Sequence, residues 1–107
     1  MQETGPRERK LREPTAVAVG KRLAQAREAA GLSQIDLARR LGMETAGKLS
    51  NWENGIHMLP GIYVARIFTI TRVDADWLFL ADSSRLPPDV KKALSASKPR
   101  KPRKRAG

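Results

Sequence analysis

Apolar residues recur at helical spacing in several separate stretches of the chain, with small or polar residues in the gaps. From Thr15 to Ala30, the residues Val19, Leu23, Ala26 and Ala30 form one stripe, the mark of a helix with a single buried side. Thr15 is its candidate cap, and Lys21, Arg22, Arg27 and Glu28 are placed outward. Leu37, Ala38 and Leu41 predict a second helix over about Gln34 to Leu41, capped by Ser33 with Asp36 three residues on, and stopped by Gly42. Leu49 and Trp52 are the inward pair of a third helix, about Ala46 to Glu53, with Thr45 as candidate cap and Asn54-Gly55 at its end. Gly61 to Thr71 is ambiguous. Its β-branched and aromatic run also reads as a strand, while Ile62, Ala65 and Phe68 fall at helical spacing. Asp74 caps a fifth segment with Trp77 and Leu78 on the core side. Trp77 to Leu80 is apolar on every side of a short helix, so part of it is expected to face a partner or the following chain.

Two short helices joined by a turn are not stable alone and must pack on the others. The third helix nevertheless keeps a polar outward face of Lys48, Ser50 and Asn51. Such a pair, with its second helix exposed and polar, is a helix-turn-helix, a unit that enters the DNA major groove. The stretch resembles the lambda-repressor-like (Xre/Cro) DNA-binding domains. The resemblance is carried by Gly31-Leu32-Ser33-Gln34, Leu37-Ala38, Leu41-Gly42, Leu49-Ser50 and Trp52-Glu53-Asn54-Gly55, and extends over roughly residues 16–82. Anchored on Trp52 to Gly55, the turn after Gly42 is one residue longer than is usual in that family.

The resemblance implies an all-α, five-helix domain over residues 15–85 and decides for a helix at Gly61 to Thr71. It also implies roles. Gln34 and Asn54 take DNA phosphates, and the base-contacting positions map to Ala46, Gly47 and Asn51. Ala46 and Gly47 offer no side-chain hydrogen bond, so Lys48, Ser50 and Asn51 are the polar readers. Asparagine can pair with adenine, and lysine can donate to guanine. Thr45 and His57 are further phosphate candidates. Trp77, Phe79 and Leu80 are candidates for a homodimer interface.

Composition narrows the field. There is no cysteine and one histidine, so neither thiolate nor histidine-cluster metal sites can form, and no cofactor is expected. No catalytic constellation is legible, because Ser33 and Ser50 are accounted for by capping and readout. No apolar run approaches the ~20 residues of a membrane span, and no signal sequence is legible, so a cytoplasmic, nucleoid-associated protein is expected. The net charge of +10 suggests a polyanionic partner. Its distribution is uneven. Residues 1–14 carry four Lys/Arg against three Asp/Glu, residues 15–85 nine against seven, and residues 86–107 eight against one. The N-terminal segment, with Arg7, Arg9, Lys10 and Arg12, reads as a flexible charged arm. After Leu86-Pro87-Pro88, Asp89 to Leu94 suffices for one or two turns, and a proline-spaced basic tail follows.

These features predict a sequence-specific transcriptional regulator, a repressor binding double-stranded DNA at an inverted repeat as a homodimer. Two alternatives stay open. One is an antitoxin whose residues 74–94 hold a protein toxin, and the other is a general DNA binder driven by the tail.

Overall fold

The computed structural model describes residues 14–97, and the arm and most of the basic tail lie outside the described residues. The described chain is all-α: α1 (Ala16–Ala29), α2 (Gln34–Arg40), α3 (Gly47–Glu53), a 3-10 turn (Gly61–Tyr63), α4 (Val64–Thr71), α5 (Ala75–Leu80) and α6 (Pro88–Ala96). The helical reading of Gly61 to Thr71 therefore holds, with its first turn tightened.

Cap chemistry explains the starts of three of the six helices. The Thr15 hydroxyl accepts from the Ala18 N–H at 3.0 Å and starts α1. Ser33 and Asp36 form a reciprocal capping box at α2, with Asp36 N–H donating to Ser33 Oγ and Ser33 N–H donating to Asp36 Oδ2. Asp74 accepts from the Trp77 N–H and starts α5. Thr45 does not cap α3: the cap position is Ala46, with no side-chain hydrogen bond. At the other end of α2, the Met43 and Gly42 N–H groups return to Ala38 and Arg39, a Schellman closure that needs the left-handed conformation Gly42 adopts.

The core lies where α1 crosses the other helices. Val19, Leu23 and Ala26 are buried against Leu37, Ala38, Leu41, Leu49 and Trp52, and against Ile67, Val73, Trp77 and Leu78. Trp52 and Tyr63 stack obliquely, with ring centroids 4.9 Å apart.

Several expectations are corrected. Ala30 is exposed at the helix end, and Arg27 joins the buried stripe of α1. The helically spaced Ile62, Ala65 and Phe68 prove to be exposed, Ile62 in the 3-10 turn and the other two on α4, while Ile67 and Thr71 face the core. Both sides of that helix are apolar, so spacing alone does not choose between them. Trp77 and Leu78 are buried, as their core-side placement predicts, whereas Phe79 and Leu80 are half-buried. The fold also runs past residue 85: Leu86, Val90 and Leu94 enter the core, and α6 packs across α1 as a sixth helix. Pro88 suits its first turn, where a missing N–H costs nothing.

Candidate nucleic-acid interface

The exposed side of α3 is the candidate site, and a buried ion pair holds the helix in place. Arg27 of α1 grips Glu53 at the end of α3 through two bonds, Nε to Oε2 at 2.7 Å and Nη2 to Oε1 at 3.0 Å. Arg27 Nη1 also donates to the Leu32 carbonyl, and Gln34 Nε2 donates to Glu53 Oε1. The network ties α1, α2 and α3 together at the base of the motif. A buried carboxylate needs such partners, because an unpaired one would carry a large desolvation cost. Nothing local in the sequence marks this pair, which is 26 residues apart.

A second device sets the distance between helices. A Cβ at Gly20 would overlap the Trp52 carbonyl oxygen and lie 2.8 Å from that of Glu53. Only glycine lets α1 and α3 approach so closely. A signal for this was available: an isolated glycine inside a helical stripe often has a packing reason.

The expected contact residues fall into distinct settings. Ala46 is half-buried against the core, and Gly47 is the exposed first residue of α3. Lys48 is exposed and Asn51 half-buried, one turn apart on the same side of the helix. Ser50 accepts at Oγ from Asn54 Nδ2 at 3.3 Å. Gln34 spends one amide N–H on Glu53, which orients the group and leaves its second N–H. Thr45, Asn54 and His57 are exposed.

Among the described residues, no side-chain hydrogen bond or ion pair engages Lys48, Asn51 or His57. Several other long polar side chains are committed to the fold. Arg22 donates to the Leu78 and Phe79 carbonyls, and Arg66 donates to that of Leu41. The three uncommitted groups rim a cleft of about 280 Å³ between α3 and the loop that follows it. Its floor is Trp52, Met58, Pro60 and Tyr63. Met58, Pro60 and Tyr63 were not among the expected site residues, because loop residues beyond the motif carry no helical pattern.

The described residues hold no cluster of His, Asp or Glu able to bind a metal, and no helix long and apolar enough to cross a membrane. A family model described as a helix-turn-helix domain matches residues 18–78, more than half of the chain. No curated protein and no solved structure matches. The matched region ends within α5, so α6 lies beyond it.

Proposed function

The chain belongs to the helix-turn-helix domain family, and on that footing we propose that it is a DNA-binding transcriptional regulator that reads sequence with α3. The observation that carries this reading is the pair Lys48 and Asn51, uncommitted and one turn apart on a helix anchored from beneath by Arg27–Glu53. In the major groove Asn51 pairs with adenine and Lys48 donates to guanine or to phosphate. The remaining N–H of Gln34, with Asn54 and His57, takes phosphates that fix the register of the helix without reading sequence. Gly47 lets the backbone come close to the base edges.

The reading includes a homodimer on an inverted repeat, with recognition helices about one DNA turn, roughly 34 Å, apart. It takes repression as the outcome, since a bound dimer would obstruct transcription at its operator. Phe79 and Leu80 remain candidates for the contact between copies. Trp77 is buried within the chain and offers little surface to a partner. Part of the surplus apolar surface lies beside α4, where Ile62 is 80% and Phe68 51% exposed.

Selection of bound sequences from random DNA, followed by sedimentation with the selected duplex, tests the reading. An inverted repeat bound by two chains is expected. Asn51→Ala is expected to lose about 1–3 kcal/mol at one base position per half-site and to relax the preference there. An unchanged preference in that variant would place the readout elsewhere.

A further inference from the structure

The cleft beside α3 is unlike a phosphate site. Phosphate contacts need donors, and the rim supplies them in Lys48 and His57, but the floor is almost wholly apolar. Trp52 is nearly buried there with Tyr63 tilted against it, and Met58 is 40% exposed. The loop that supplies the floor is fixed to α3. The Ile56 N–H donates to the Asn51 carbonyl at 2.9 Å, and Gly55 takes a left-handed conformation with Val17 packed over it. The loop thus continues directly from the end of α3.

Only one apolar group projects from the edges of the base pairs into the major groove, the C5-methyl of thymine. Asn51 stands on the rim, and its amide suits an adenine. We infer that the cleft takes the methyl-bearing edge of a thymine next to the adenine paired by Asn51, so that Met58 and Tyr63, which lie outside α3, are specificity-determining residues. The inference rests on the DNA-reading function proposed above and adds the atom that the loop recognises. The cleft is roomier than a single methyl, which suits the edge of a ring rather than a point contact.

Replacing thymine by deoxyuridine removes that methyl and nothing else. The experiment measures binding of the full chain, and of its Met58→Ala and Met58→Gln variants, to the selected operator with each thymine replaced in turn. For the unaltered chain, one position per half-site is expected to lose about fourfold in affinity, the contribution of burying one methyl-sized group. Both variants are expected to bind thymine and deoxyuridine equally at that position and to keep their preference at the Asn51 position. Met58 lies outside the buried core, so neither variant empties it. The inference is overturned if no thymine methyl matters, or if the same position keeps its full methyl effect in both Met58 variants, which would place the contact on another residue such as Ala46. An operator without methyl dependence overturns this inference and leaves the DNA-reading function standing. Failure to select any preferred sequence overturns both.

Discussion

Gly20 and Gly47 show what a single hydrogen in place of a side chain does in two different settings. At Gly20 the obstacle to a Cβ is backbone, the Trp52 and Glu53 carbonyls, which cannot rotate away. Gly20→Ala must push α3 off α1 and disturb the Arg27–Glu53 pair beside it. Overpacking of this kind costs about 1–3 kcal/mol, more than the roughly 1 kcal/mol that alanine gains in helix propensity. At the middle of that range the net loss is about 1 kcal/mol, so the melting temperature is expected to fall by about 4–8 °C in a domain of this size. At Gly47 the nearest atom is Thr45 Oγ1, 3.8 Å from where a Cβ would sit. Gly47→Ala should therefore raise stability by up to about 1 kcal/mol. The same change should weaken operator binding if the bare backbone lies against the bases. Thermal melts and binding titrations on both variants check the pair. Equal stability effects would mean that the close approach of α1 and α3 is not set by Gly20.

At the scale of elements, the helices are short, and several are finished by side chains from elsewhere. Arg66 caps the end of α2, Arg22 the end of α5, and Gln25 the Leu94 carbonyl of α6. These supply donors to carbonyls at helix ends, where regular intrahelical partners run out. Local capping was legible in the sequence because its partners are three residues apart: Thr15, Ser33 and Asp74 all cap as their spacing predicts. The remote caps and the Arg27–Glu53 pair were not, because charged residues on a helix read as solvated until the packing is known. For the same reason the polar outward side of α3 was legible from Lys48 and Asn51, while the loop half of the cleft was not. The α2 capping box makes a pH prediction. Hydrogen bonds from the Ser33 side chain and backbone hold the Asp36 carboxyl below its ordinary value of 3.8. The folded state therefore binds this proton less readily than the unfolded chain. The stabilisation is complete above the unfolded value and is lost as pH falls through the lower folded one. Asp36→Asn should melt below the unaltered chain at neutral pH, and the gap should narrow in melts taken below about pH 4. A gap constant with pH would mean that the carboxylate charge contributes nothing to the cap.

Over the whole molecule, most of the excess charge and the proposed reading helix are separated along the chain. Residues 14–97 carry eleven Lys/Arg against eight Asp/Glu, and several of those cations are already committed inside the fold. Residues 98–107 add six Lys/Arg and no acid directly after α6. The domain thus has the shaped surface, and the terminal segment has the density of charge. Phosphate contacts raise affinity for any sequence, and each contributes about −0.9 to the slope of log affinity against log salt. Deleting residues 98–107 leaves α6 and its contacts with α1 in place. If several of Lys98, Arg100, Lys101, Arg103, Lys104 and Arg105 neutralise phosphates, the slope should flatten by roughly 2–4 units per chain. Affinity for random DNA should fall more than affinity for the operator, so the ratio between them should hold or rise. Asn51→Ala should do the reverse, lowering the ratio while leaving the slope nearly unchanged, because an uncharged amide displaces no counterion. Salt titrations of both variants on operator and random duplexes separate the two contributions. An unchanged slope after truncation would make the basic segment a bystander. Loss of operator preference in a truncated but folded chain would make it the reader and would remove α3 from that role.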